Sequence, residues 1–253
     1  LCRAAPLPAP AELQKLLKAP PQVVTVIEPH LSEAGAPPVL RHYLGYPAAQ
    51  VLRQLLGADW QLAKQEIEFR ALDGFVARIP AERFDKYRAH LVFARADAKA
   101  PFSVDNKAQG EKNVALGPYY LVWDNIAAPE LLADGGAQWP YQVAQISLSS
   151  ALAAPLLPPG MGAEKWGEHA ALAQKFCLSC HQINGFGGDK MPLNLAVRAK
   201  LLDERTWGVW LLTPQAFKPG TAMPALPESM ALAEREAIAA KLHHYLMALP
   251  VLP

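Results

Sequence analysis

The chain has 253 residues, of which 51% are hydrophobic and 19% charged, with a formal net charge of +1. That length predicts two domains of ordinary size with real cores. The near-zero charge argues against nucleic acid or an anionic membrane surface as the main partner, because both require a basic excess. No apolar run reaches the roughly 18 to 20 residues of a membrane-spanning helix, so no transmembrane segment is expected.

Residues 1–22, rich in Pro and Ala, read as an N-terminal tail with one amphipathic stretch at 11–18. Leu1-Cys2-Arg3-Ala4-Ala5 has the look of a signal remnant, Ala4 being small enough for signal peptidase. Lipidation of Cys2 is the alternative, with Leu1 a poor residue before such a site. Gln22–Ile27 has strand character. Residues 40–56 have helical spacing, with Leu44, Val51, Leu52 and Leu55 on one side and Gly57 as the stop. Residues 67–79 alternate and break at Asp73-Gly74, the strongest hairpin signal in the chain. Short runs at 90–94, 119–123 and 142–148 add strands, and the polar stretch 106–112 reads as a solvated hairpin tip, with a partner-contacting loop as the alternative. His30, His42 and His90 are scattered and read as structural or exposed. Residues 23–150 are therefore expected to form an α+β domain with a mainly β core.

Residues 151–162 hold Pro155, Pro158, Pro159, Gly160 and Gly162 and read as a linker. Beyond it the period is helical: Ala163–Phe176, Glu204–Leu212, and a long helix over 227–248 with Glu228 in its first turn. An all-α domain over 163–253 is expected.

Three cysteines are too few for a disulfide scaffold. Two of them stand in Cys177-Leu178-Ser179-Cys180-His181. In such a run the thiols, three apart on a helical turn, reach the two vinyl groups of a haem as thioethers, and the His becomes the proximal iron ligand. With this composition the run arises by chance about once in a thousand sequences. The rival readings are weaker. A thioredoxin-like pair follows a strand rather than a helix, and a zinc site needs a second ligand pair that is missing downstream. His243 and His244 are adjacent, so they point apart, and His169 reads as a solvent-facing helix residue. For a second axial ligand, Met223 lies in the irregular loop Lys218-Pro219-Gly220-Thr221-Ala222-Met223-Pro224, and a Met there favours electron transfer over O₂ binding. Met191 is too close to His181 to cross to the other face. Met230 and Met247 read as core, and Met161 falls in the linker.

On these residues the stretch 163–249 resembles a class I c-type cytochrome domain. A helix runs into Cys-x-x-Cys-His, then come Asn184-Gly185-Phe186-Gly187-Gly188, a Trp-bearing helix, the Pro-Gly-Thr-x-Met-Pro loop and a last helix. The resemblance implies an all-α cytochrome c fold and one covalent haem c, with His181 and Met223 on the iron. It further implies a Pro192 carbonyl bonded to the other nitrogen of His181, Trp207 or Trp210 near the haem, and crossed first and last helices with Tyr245 near the crossing. Covalent haem attachment takes place outside the bacterial cytoplasm, so the resemblance implies a periplasmic home. The chain departs from the family at Met191, where Gly is usual, and at Ala173, where an aromatic is usual.

The N-terminal part is loosely similar to the molybdopterin-binding domain of the sulfite oxidase family in shortened form. The likeness rests on Gly45-Tyr46, the run from Phe69 to Phe75 with Ile79-Pro80, the run from Leu116 to Trp123, and Trp139-Pro140-Tyr141-Gln142-Val143. That family binds molybdenum through a cysteine, and residues 3–176 contain none, so molybdopterin is not expected and a binding or docking role is. The expected function is a periplasmic monohaem electron carrier meeting a redox partner protein rather than an enzyme. The alternatives are a haem-linked oxidoreductase with a catalytic N-terminal domain, and a haem sensor acting through Met223.

Overall fold

A computed structural model describes residues 4–32, 36–62, 65–97, 99–150 and 155–252. Cys2, and with it the lipid-anchor and signal expectations for residues 1–3, lies outside the described residues. Ala4–Pro6 (β1) and Pro10–Leu17 (α1) are not a tail, because β1 pairs with the strand at 143–150 and Leu13 is fully buried.

Gln22–Ile27 (β2) is followed by Leu40–Pro47 (β3) and Ala48–Leu56 (α2). The single helix expected over 40–56 is thus a strand and a shorter helix. Two neighbours claim residues 40–47, β2 on one side and Ala89–Arg95 (β6) on the other, and ladder bonds on both edges outweigh a weak 3.6 period. Gly57 does end α2, donating its N–H to Arg53 O at 3.1 Å with φ +90°.

Gln65–Ala71 (β4) and Val76–Pro80 (β5) form the hairpin around Asp73-Gly74. Ala81–Lys86 (α3) leads to β6, and Ser103–Asn106 (β7) pairs with Glu111–Ala115 (β8). Tyr120–Trp123 (β9) and Val143–Ser150 (β10) complete the N-terminal part. Two four-stranded antiparallel sheets result, β1-β10-β4-β5 and β2-β3-β6-β9, with a half-barrel among them. The Asn125 side chain, after β9, accepts from Ile27 N–H at 2.9 Å and donates to Ile27 O at 2.8 Å, completing the exposed edge of β2 with a mimic of a ladder pair. Inside, the buried carboxylate of Glu28 is satisfied by Tyr43 Oη (2.6 Å), Tyr120 Oη (2.9 Å) and the His30 amide (3.1 Å). These bonds satisfy a polar group within a core that also buries Trp60, Trp123 and Trp139. His30 is buried, His42 bonds Thr25 Oγ1 at the surface, and His90 is half-buried. The expected solvated tip at 106–112 is buried at one end, where Asn106 Nδ2 donates to Tyr141 Oη at 3.1 Å.

The C-terminal part contains Ala163–Phe176 (α4), Gln182–Ile183 (β11), Phe186–Gly187 (β12), Leu195–Ala199 (α5), Glu204–Leu212 (α6), Pro214–Phe217 (α7) and Leu232–Ala248 (α8). The expectation of an all-α cytochrome c fold here is overturned. β11 and β12 pair as an antiparallel ribbon, and Gln182 also bridges Asn194 in parallel. Helix makes up only 37% and strand 25% of the protein, spread over four antiparallel sheets. The helical period is blind to the ribbon because Asn184 and Gly185 turn it in two residues, both with φ > 0. The last helix begins at Leu232 rather than 227, since Pro227 instead opens a turn closed by Met230 N–H. Of the expected linker, 151–154 lie outside the described residues. Leu156 is core, its carbonyl accepting from Tyr245 Oη at 2.7 Å. Among the described residues no helix is long and apolar enough to cross a membrane.

Replacing Asn125 with Ala strands the Ile27 amide and carbonyl, and a loss of roughly 1–3 kcal/mol is expected in urea unfolding. An unchanged midpoint would show that water replaces the side chain without cost.

Candidate functional site

α4 delivers the Cys-x-x-Cys-His run. At its end the Cys177 and Leu178 amides both donate to Ala173 O (2.9 and 3.0 Å), and the Cys180 and His181 amides both donate to Cys177 O (3.3 and 3.0 Å). One tight turn therefore carries both thiols and the imidazole. Burial pushes the Cys177 thiol up to about 12 and the Cys180 thiol up to about 11. Both are protonated at neutral pH, unlike the low-pKa thiolate of a thioredoxin-type pair.

His181 Nδ1 lies 3.0 Å from a backbone carbonyl, which is that of Met191 and not of Pro192. Met191 N–H in turn donates to Cys180 O at 2.8 Å, so the loop grips the turn at two points one residue before the proline. A carbonyl partner fixes the proton on Nδ1, and burial disfavours the imidazolium. Nε2 is left as the lone-pair nitrogen.

Two glycines explain why the chain can fold back here. Gly188 N–H donates to Leu178 O (2.9 Å) and His181 O (3.2 Å). A Cβ on Gly187 would stand 2.0 Å from His181 O, and one on Gly188 would stand 2.1 Å from Ser179 O. Only hydrogen fits between the strand and the turn.

The other side of the same turn is held by the N-terminal core. Val76 N–H of β5 donates to Ser179 O, and Asp189 N–H donates to Gly74 O, both at 2.9 Å. Lys190 pairs with Asp73 at 2.9 Å and Arg70 with Asp189 at 3.0 Å, while the Arg78 guanidinium lies 4.1 Å from the Phe186 ring centroid. A second contact joins Lys175 of α4 and Arg83 of α3 to Asp134. The sequence marks Asp73-Gly74 as a hairpin turn, yet no local signal says what that turn touches.

The remaining expected residues divide. Cys177 and Trp207 belong to one hydrophobic cluster, with Met223 partly buried against it. The Met223 amide is fastened to Thr221 Oγ1 at 3.2 Å, and Leu226 N–H ties the same loop to Leu211 O of α6 at 2.9 Å. Trp207 is a strut, its Nε1 donating to Ala239 O of α8 at 3.1 Å, whereas Trp210 stacks on Phe217 at 4.6 Å. α4 packs on α8 with Tyr245 fully buried beside Trp166. His243 turns toward Leu202 and Trp207, and His244 stacks on Trp166. His169 is half-buried against Trp166 and Tyr245 rather than facing solvent. Between His181 and Met223, the large apolar side chains of Met191, Leu193, Val197, Leu201, Val209 and Phe217 are 40 to 68% exposed. Among the described residues no group of three or more His, Cys, Asp or Glu is arranged to hold a metal ion.

The close approach at residue 188 gives a paired expectation. Gly188→Ala forces a backbone clash and should lower the melting temperature severely. Gly185→Ala has open space and only a positive φ of +80° to oppose it, a cost of about 1 kcal/mol. Equal shifts in thermal unfolding would contradict the packing described. No protein-family model matches the chain, and no curated protein matches it.

Proposed function

We propose that this protein binds one haem covalently through Cys177 and Cys180 and carries single electrons between partner proteins in the periplasm. The observation that carries the reading is the turn itself. It presents two cysteines, then an imidazole whose Nδ1 is engaged by the Met191 carbonyl, which leaves Nε2 as the nitrogen that could bind a metal. The residues fit such a group. The two thiols stand on one turn beside the imidazole, as thioether attachment requires, and exposed apolar side chains recur at 191, 193, 197, 201, 209 and 217. A haem iron needs one imidazole and one further axial donor, not a cluster of acidic and His ligands.

When bound, the haem supplies reversible one-electron chemistry at its iron. The chain's own residues hold and orient it. Cys177 and Cys180 would hold the haem as thioethers, and the Met191 carbonyl fixes the tautomer of His181. Met223, on a loop tied to α6 through Leu226 and Leu211, would be the second side chain to hold the iron. The N-terminal core, clamped to the back of the turn by Val76 and Asp189, is a docking platform that sets how the site meets its partners.

The protein, matured in a host that ligates haem, should titrate potentiometrically as a single one-electron wave. Met223→Ala should keep the covalent haem, lower the potential, and open the iron to added imidazole or cyanide. A spectrum and potential unchanged by that substitution would remove Met223 from the ligand set. A protein of native fold that takes up no haem would overturn the function.

A further inference from the structure

The strand β4 is covered on both faces, with Glu66 buried and Glu68 and Arg70 half-buried on the polar one. Ile67 and Phe69 point into the N-terminal core, while Glu66, Glu68 and Arg70 alternate onto the opposite face. That polar face lies under the C-terminal part. Gln174 of α4 reaches Glu66, Phe186 of the ribbon lies against Arg78, and Asp189 reaches Arg70. Glu66 is only 4% exposed, and Gln174 and Arg78 are each 8% exposed.

Charge balance singles out one group. Glu68 pairs with Arg78 (2.8 Å) and with Arg70 (3.3 Å), and Arg70 pairs also with Asp189 (3.0 Å). Two guanidiniums and two carboxylates thus neutralise one another without Glu66. The polar partner Glu66 has is an amide, Gln174 Nε2 donating to its Oε1. Glu66 Oε2 and Gln174 Oε1 are both buried with no hydrogen-bond donor, and the cross-strand neighbour Ser149 has an unpartnered Oγ. Arg78 does not fill the gap, as its Nε and Nη1 are also without partners. An ionised carboxylate here would be a surplus buried charge opposite an unsatisfied acceptor, the costliest arrangement available. A single proton removes both faults, because a carboxylic acid and a primary amide close a ring of two hydrogen bonds.

We infer that Glu66 is a proton-binding site joining the two cores, its protonated Oε2 donating to Gln174 Oε1 while Gln174 Nε2 donates to Glu66 Oε1. The site works as a latch. With the proton on, α4 is fastened to β4; with it off, the pair carries a buried negative charge and the contact weakens. Gln174 precedes Cys177 by three residues, so on the haem reading of the preceding section the latch governs how firmly the attachment turn is held against the β4–β5 hairpin.

Burial raises the Glu66 carboxyl above its ordinary value, opposed by the Gln174 bond and by Arg78 and reinforced by Glu68. The sign of the linkage follows. A carboxyl raised on folding gives stability that is full below the unfolded carboxylate value and is lost as pH rises through the folded one, opposite to a salt-bridged Asp or Glu.

Infrared titration of the full-length protein tests the site whether or not haem is bound, so its failure and that of the haem reading are separable. A protonated-carboxyl C=O band should persist above the pH at which the exposed carboxylates have ionised. It should vanish in Glu66→Gln, which puts an amide in place of the carboxyl, and shift in Gln174→Leu, which removes the partner. Should Glu66→Gln fail to fold, the shift in Gln174→Leu still decides. A titration in which every carboxyl band disappears together, or a persistent band that neither substitution alters, would overturn the proposal.

Discussion

The rest of the structure depends on the seating of a five-residue turn between two sets of backbone groups. On one side the glycine pair Gly187-Gly188 passes so close that a methyl group would overlap the His181 and Ser179 carbonyls. On the other side the β4–β5 hairpin exchanges backbone hydrogen bonds with Ser179 and Asp189. Such bonds specify register without specifying side chains, so the thiols and the imidazole are left for chemistry while their backbone is fixed. The two cores are coupled through this turn and through the buried face of β4. Position at the turn, as much as composition, makes the N-terminal part relevant to the site.

Protonation states follow from the same burial. Removing Cys177 and Cys180 from water disfavours their thiolates, and removing His181 from water disfavours its cation. The turn is therefore neutral as folded, and the Met191 carbonyl decides which imidazole nitrogen keeps its proton. The neutral Nε2 is the nitrogen left with a lone pair.

Much of this was legible in the sequence wherever a local rule and the tertiary environment agree. The boundaries of β2, α4 and α6 follow from period and flanking residues, and the β4–β5 hairpin from Asp73-Gly74. The Cys-x-x-Cys-His run is legible because covalent geometry dictates its spacing. Two causes account for the misses, pairing with distant chain that overrides local pattern and, at Phe186–Gly187, a two-residue turn that the helical period does not register. Leu40–Pro47 became a strand because β2 and β6 flank it, residues 4–6 joined a sheet through β10, and Phe186–Gly187 became ribbon. The expected Pro192 carbonyl is displaced by one residue because the loop also bonds Cys180 through the Met191 amide. The grip of the β4–β5 turn on residues 179 and 189 had no signal in either segment read alone.

The claim that these two cysteines anchor a haem is tested most directly by extraction. Protein matured in a host with haem-ligating machinery, then denatured and treated with acid–acetone, should retain its colour in the polypeptide precipitate. It should lose that colour when both Cys177 and Cys180 are replaced by Ser. Haem passing quantitatively into the solvent from the unsubstituted protein would contradict the account.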